Sequence, residues 1–192
     1  MSAAAAVPSA IEVYCPAMRT LRALACAALT TALLVVPAPA DARQATVVDE
    51  PGDTLAPGLD ITSVSFRNRD HAVVVDYAFR RDRRGEIIVA MDSRGGPLMR
   101  MISQHPVSGP DKTFLIDRSG EEVPCRGLSS DWSRADATVR LRMPSRCLDG
   151  GDYGALRFWA LIEGYRSSSS DVDYAPETPD GDLTFTDWVP RG

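Results

Sequence analysis

Apolar and polar residues that alternate with a period of two restrict the fold of this chain more than any other feature. The clearest example is the segment 137–143, where the apolar residues are Ala137, Val139, Leu141 and Met143, and the intervening ones are Thr138, Arg140 and Arg142. This pattern predicts a strand with one face in a core and the other in water. No segment after Ala42 carries a sustained helical period, so the sequence predicts an all-β domain.

Turn signals separate further segments that have strand character. We expect these strands at 59–66, 72–79, 86–92, 97–104, 112–117, 155–163, 171–174 and 184–189. The charged run 80–85 joins the second of them to the third, which predicts a hairpin. The segment 155–163 is apolar on both faces, so we expect it to be central, with Trp159 in the core.

Short strands separated by turns favour one particular architecture. We predict a single-domain antiparallel two-sheet sandwich, immunoglobulin-like or jelly-roll-like, over residues 58–192. Residues 43–57 are rich in Asp, Pro and Gly, so we expect an extended lead-in. A ferredoxin-like fold and an open barrel are the alternatives, of which the barrel is the nearer. The stretch 43–192 is the usual size of one domain.

Residues 18–42 have the organisation of an export signal. Arg19 and Arg22 form a positive n-region, the segment 23–36 is an apolar core, and Ala40-Asp41-Ala42 is a small-x-small cleavage site. The apolar core has 14 residues, fewer than the roughly 20 needed to span a bilayer. We therefore expect cleavage after Ala42, secretion, and no membrane insertion of the processed chain.

The segment 1–17 fits poorly in front of this signal. It has neither a charged n-region nor a continuous apolar core, since Pro8, Glu12 and Pro16 interrupt it. We expect Met18 to be the natural start and 1–17 to be an extension that does not belong to the protein.

The charge of the chain excludes one large class of partner. The net charge is −5, and removal of residues 1–42 leaves it unchanged because they hold two basic and two acidic residues. Nucleic-acid binding needs a basic face, so no nucleic-acid partner is expected. An anionic membrane surface is disfavoured for the same reason. We expect a monomer.

Two cysteines, Cys125 and Cys147, remain after the predicted leader. Disulfides persist in the oxidising compartments to which exported proteins go, so we predict a bridge between these two residues. Two free thiols are the alternative. A structural zinc site is excluded for this pair alone, since such sites take four ligands.

Several short landmarks resemble a known group of proteins. They are Asp-Glu-Pro-Gly-Asp at 49–53, Gly-Leu-Asp-Ile at 58–61, Cys125 followed by Trp132, Met-Pro-Ser-Arg-Cys-Leu at 143–148, and Asp-Trp-Val-Pro at 187–190. Together they resemble small secreted actinobacterial proteins of unassigned function. The resemblance covers nearly all of the processed chain. It implies a secreted β-sandwich with one disulfide and supplies no catalytic or binding residues.

Acidic residues gather near both ends of the predicted domain. They are Asp49, Asp53 and Asp60 at one end, and Asp171, Asp173, Asp180 and Asp182 at the other. Chain termini often lie close together at a domain surface, and extracellular modules use weak calcium sites built from carboxylate and carbonyl oxygens. We therefore predict a weak calcium site from these residues. A solvated acidic surface is the alternative, and no other cofactor is expected.

Three further features point to possible sites. Ser103 and His105 share one face of a strand, but no nucleophile elbow surrounds the serine, so no catalytic triad is expected. The arginines of 80–84 are a candidate anion patch or a solvated hairpin tip. Aromatic residues suited to sugar stacking are Trp132, Trp159, Trp188, Tyr153, Tyr165 and Tyr174.

These observations together predict a secreted, non-enzymatic β-sandwich. We expect it to be a binding or interaction module for an unidentified extracellular or cell-wall ligand. Two other functional classes stay open. One is a structural, envelope-associated protein, and the other is a hydrolase with an unrecognised site.

Overall fold

Eleven β-strands, all paired in antiparallel fashion, form the part of the chain that the computed structural model describes, which is residues 43–52, 59–81, 84–165 and 171–192. The predicted leader at 18–42 and the extension at 1–17 lie outside these ranges. No α-helix occurs in the described ranges, and no helix there is long and apolar enough to cross a membrane. The all-β prediction is confirmed.

The strands form two sheets. In the five-stranded sheet the order is β1 (Gln44–Val48), β2 (Ile61–Asn68), β3 (Ala72–Phe79), β9 (Thr138–Pro144) and β8 (Ser129–Ser133). In the six-stranded sheet it is β11 (Asp171–Ala175), β10 (Leu156–Gly164), β4 (Gly85–Ser93), β5 (Met99–His105), β6 (Lys112–Ile116) and β7 (Glu122–Val123). Two short 3-10 turns follow β9, at Ser145–Cys147 and Asp149–Gly151.

The core lies between the two sheets. Each strand turns alternate side chains inward, so Phe66 and Tyr77 of one sheet face Met101 and Phe158 of the other, all of them fully buried. The rings of Phe66 and Phe158 stack with centroids 4.8 Å apart. The predicted two-sheet antiparallel sandwich is therefore confirmed, since both sheets bury their period-two apolar faces against each other.

The predicted disulfide is present. Cys125 lies on the connection between β7 and β8, where the chain passes from one sheet to the other, and Cys147 ends the 3-10 turn Ser145–Cys147. The turn after β9 brings the two Cα atoms to 5.4 Å from each other. The bridge thus ties the connection between the sheets to the end of β9.

The predicted hairpin between 72–79 and 86–92 is wrong. These segments are β3 and β4, which belong to different sheets: β3 pairs with β2 and β9, and β4 pairs with β5 and β10. A short charged connection is compatible with an arch between sheets as well as with a hairpin. Period-two alternation shows which face is buried and carries no information about the partner strand.

Two strands were missed at the edges of the five-stranded sheet. The first is β1, in the predicted lead-in, where Ala45 and Val47 pack on the core and the strand pairs with β2. The second is β8, which has little apolar character apart from Trp132. By contrast, the predicted strand at 184–189 reduces to a single bridge between Val189 and Leu156.

The prediction that Trp159 lies in the core is also wrong. Strand β10 runs between β11 and β4, and its core face consists of Leu156, Phe158, Ala160 and Ile162. Trp159 is half-buried on the opposite face, where it meets the edge of the Phe185 ring with centroids 6.5 Å apart. Alternation along β10 requires this, because Trp159 follows Phe158 directly.

Candidate functional site

His105, at the end of β5, is held by three neighbouring side chains. Its Nδ1 lies 2.6 Å from Oδ1 of Asp111, and its Nε2 lies 3.3 Å from Nη2 of Arg134. Its ring stacks on Trp132 with centroids 4.9 Å apart. An Asp–His pair becomes catalytic when a nucleophile meets the second ring nitrogen. Here the neighbour at Nε2 is a guanidinium group, which is neither a nucleophile nor a proton acceptor.

Ser103 is the only other member of the triad that the sequence offered, and it is fully buried. Its Oγ accepts a hydrogen bond of 3.0 Å from Nε1 of Trp132. Because β5 and β8 belong to different sheets, this bond links the edge strand β8 of one sheet to an interior strand of the other. The cluster of Ser103, His105, Asp111 and Trp132 thus has the properties of a structural anchor, in which the serine hydroxyl is inaccessible to a substrate.

The predicted calcium ligands are distributed over separate places. The buried carboxylate of Asp173 accepts the Ile61 N–H at 2.7 Å. The buried carboxylate of Asp60 accepts the Gly52 N–H at 3.0 Å and lies 3.6 Å from Nη1 of Arg80. Since Ile61 directly follows Asp60, the bond from Ile61 to Asp173 brings the two acidic segments close together, as expected for segments near the two chain ends.

Of the remaining acidic residues, Asp49 is held near Asp60, since its N–H donates to the carbonyl oxygen of Thr62. Asp49 is half-buried after β1, whereas Asp180 and Asp182 are exposed around a turn at 178–182. Asp53 and the side chain of Asp171 lie outside the described part. Within the described ranges no group of three His, Cys, Asp or Glu residues is arranged to hold a metal ion. Calcium binding stays a prediction.

We expect Asp173→Ala to lower the free energy of unfolding by about 1–3 kcal/mol, because it leaves the buried N–H of Ile61 without an acceptor. Urea denaturation in chelator measures the loss. The control is Asp182→Ala, which removes an exposed carboxylate and should change stability by about 0.5 kcal/mol or less. A loss for Asp173→Ala that occurs only in millimolar calcium would contradict the structural role and favour the metal.

Of the arginines in the predicted anion patch at 80–84, three lie in the described ranges, and two of these have structural partners. Arg80 faces Asp60, and Nη1 of Arg84 donates to the carbonyl oxygen of Pro106. Arg81 is exposed. The run therefore supports the connection between the sheets through Arg80 and Arg84.

Apolar side chains cross the outer face of the six-stranded sheet in a single row. The strand register aligns one residue from each of five adjacent strands: Tyr174, Leu161, Ile88, Ile102 and Phe114. Ile102 is buried and the other four are half-buried, and none of them belongs to the core between the sheets. These five residues are called the apolar row below. It spans about 19 Å, four inter-strand spacings.

The two borders of the apolar row differ in polarity. On one side the register aligns Glu163, Glu86, Gln104 and Lys112, and Nε2 of Gln104 donates to Oε2 of Glu86 at 2.5 Å. Burial, Glu86 and Glu163 together raise the pKa of Tyr165, which indicates a negative potential at this border. On the other side the register aligns Trp159, Ala90, Arg100 and Ile116, of which only Arg100 is charged.

Arginine side chains cover the aromatic rings beside the apolar row. The guanidinium carbon of Arg157 lies 4.5 Å from the Phe185 ring centroid and 5.0 Å from that of Trp188. Arg94 lies 4.9 Å from the same Trp188 centroid. These cation–π contacts occupy ring faces that a sugar would need for stacking. Of the six aromatic residues suited to sugar stacking, only Tyr165 is exposed, at 41 %.

Comparison with known proteins adds no family to this description, since no protein-family model matches the chain and no curated protein matches it significantly. The apolar row escaped detection in the sequence because its members lie in strands as distant as β4 and β11. The available signal was the pair of strands with apolar residues on both faces, β4 and β10.

Proposed function

We propose that this protein is a secreted, non-enzymatic binding module that recognises a protein partner through the apolar row. The observation that carries the proposal is the uninterrupted alignment of apolar side chains across five strands, outside the core. Solvent-facing sheet surfaces ordinarily alternate to polar residues, and contiguous apolar patches on a folded domain mark interaction sites.

A protein partner fits this surface better than a sugar. Protein interfaces have an apolar centre and a polar rim, and the apolar row has charged residues along its borders. A sugar ligand needs free aromatic faces together with convergent hydrogen-bonding groups, whereas Arg157 and Arg94 cover the rings of Phe185 and Trp188. Glu86 and Glu163 lie on one border, so the partner should place basic side chains there.

Features elsewhere in the chain agree with this proposal. The predicted export signal supports a location outside the cell, and the disulfide is compatible with an oxidising compartment. The buried hydroxyl of Ser103 and the guanidinium at Nε2 of His105 argue against a hydrolase. An envelope-associated structural protein is the alternative. Such a protein would not bind its partners through one particular sheet face.

Site-specific photocrosslinking in the organism that secretes the protein tests the proposal. With p-benzoylphenylalanine in place of Phe114, irradiation should give an adduct of discrete mass, because that side chain would lie in the interface. The matched control places the same group at Ser65, which is half-buried on the outer face of the other sheet. We expect no adduct from this control position.

A second variant tests whether the apolar row itself makes the contact. Ile88→Glu puts a charge at the centre of the row, and it should reduce the Phe114 adduct at least tenfold, since a charge buried in an interface has no partner. Circular dichroism must show that this variant remains folded. Equal adducts from both sheets would favour a structural envelope role and overturn the proposal. An adduct of twice the monomer mass would identify the protein partner as a second copy and overturn the expected monomer.

A further inference from the structure

Arginines line a pocket on the opposite side of the molecule, at one end of the outer face of the five-stranded sheet. Its volume is about 570 Å³, and its charged or titratable lining residues are Arg43, Arg67, Arg69, Arg142, His71 and Asp70. Four guanidinium groups share the pocket with the side-chain carboxylate of Asp70 and the α-carboxylate of Gly192, the last residue of the sequence, so the lining keeps a net positive charge although the whole chain has a net charge of −5. It is called the arginine pocket below.

The strand register explains why these side chains converge. Arg67 of β2 and Arg142 of β9 lie opposite Val74 of β3, one on each side of it. Val74 is only 8 % exposed and forms an apolar floor. Two inter-strand spacings separate the flanking strands by about 10 Å. Arginine side chains are long enough to reach one ligand above Val74 from both sides.

Asp76, in the next row of the same sheet, positions one of these guanidinium groups. Nη2 of Arg67 forms an ion pair with Oδ2 of Asp76, and Nε of Arg140 donates to Oδ1 of Asp76 at 2.5 Å. Asp76 therefore shares its charge between two arginines. Arg43, Arg69 and Arg142 form no ion pair with any residue in the described ranges.

Other positive charges crowd around Arg67 in addition to its ion pair with Asp76. Burial and the neighbouring guanidinium groups of Arg69 and Arg140 lower the pKa of Arg67. A bound anion would relieve this repulsion. Like charges are seldom gathered over an apolar floor without a counter-ion, because each one raises the free energy of the others.

We propose that the arginine pocket binds a phosphate group. Guanidinium groups that approach from separate strands suit an anion whose oxygens point in several directions, as those of a tetrahedral phosphate do. A carboxylate is planar and is satisfied by a single arginine fork. The phosphate comes from one of two sources, free inorganic phosphate or a phosphodiester-linked polymer outside the cell. The site is on the sheet opposite the apolar row, so it does not depend on the protein-binding proposal.

Calorimetric titration of the secreted protein with sodium phosphate, at constant ionic strength in chloride, tests the proposal. We expect saturable binding that Arg142→Gln weakens about tenfold or more, since each charge-assisted bond to an anion contributes that much. Arg142 is exposed, so this variant should fold normally. Arg118→Gln is the matched control: it makes the same change of charge in the exposed turn between β6 and β7, and it should bind phosphate like the wild type.

Two further ligands identify the source and the class of the anion. A short phosphodiester-linked glycerol oligomer that binds at least tenfold more tightly than inorganic phosphate would identify a polymer as the source, and weaker binding would identify free phosphate. Both results support a phosphate site. Acetate that binds as tightly as phosphate would overturn the proposed class. The proposal also fails if neither phosphate ligand shows saturable binding, or if Arg118→Gln weakens binding as much as Arg142→Gln.

Discussion

Replacement of Phe158 by alanine is expected to lower the free energy of unfolding by about 3–5 kcal/mol. Phe158 is fully buried between the sheets, and its ring lies 4.8 Å from that of Phe66 at an interplanar angle of 18°. The substitution leaves a cavity and removes an aromatic pair that joins the two sheets. Domains of this size are stable by about 5–15 kcal/mol, so the loss should be visible directly in a urea denaturation curve followed by circular dichroism.

The matched control is Phe114→Ala, which makes the same chemical change on the outer face of the six-stranded sheet. Phe114 is half-buried and does not belong to the core, so its loss leaves no internal cavity. We expect a clearly smaller destabilisation than for Phe158→Ala. Equal losses from the two variants would show that the outer face is packed as tightly as the core, in conflict with the description of the apolar row as a surface.

Cys147→Ala is expected to lower the free energy of unfolding by about 2–5 kcal/mol. The bridge joins residues 22 positions apart in sequence. In the chain-entropy account, a loop of that length stabilises the folded state by about 3 kcal/mol, because it restricts the unfolded chain. The bridge also holds the connection between β7 and β8 against the turn after β9. Denaturation of the oxidised wild type and of the variant gives the difference.

The double variant Cys125→Ala, Cys147→Ala controls for the loss of either side chain. Because the bridge is one unit, the double variant should be about as unstable as either single variant. Additive losses would mean that each cysteine contributes by its own packing. Non-reducing peptide mapping of freshly secreted protein should yield the linked peptide, and recovery of both residues as free thiols would contradict a native bridge.

Local patterns were sufficient to predict most of the strands. The segment predicted at 72–79 is β3, and the segment predicted at 137–143 is β9 shifted by one residue. In both, the apolar residues that alternate in the sequence are those that the core buries. Successive side chains of a strand point to opposite faces, so consecutive residues show which face is buried. The disulfide could be predicted from two facts alone: two cysteines remain after the predicted leader, and exported proteins go to an oxidising compartment.

Local patterns did not predict the edge strands or the pairing of strands with one another. The five-residue strands β1 and β8 contain no fully buried side chain, so their strand conformation depends on the hydrogen bonds that they make with β2 and β9. Likewise, the separation of β3 from β4 depends on which faces fit together across the whole sandwich. Neither the charged connection at 80–85 nor the alternation on its two sides determines whether β3 and β4 pair with each other.

Both proposed binding surfaces depend on strand order, which local sequence patterns do not contain. The apolar row takes residues from strands between β4 and β11, and the arginine pocket takes them from the turn before β1 and from β2, β3 and β9. Residues such as Arg67 and Arg142 are unremarkable members of alternating strands when considered one strand at a time. They become neighbours because the sheet places β3 between β2 and β9. Period-two alternation thus established that there are buried and exposed faces, whereas strand order established which exposed side chains meet.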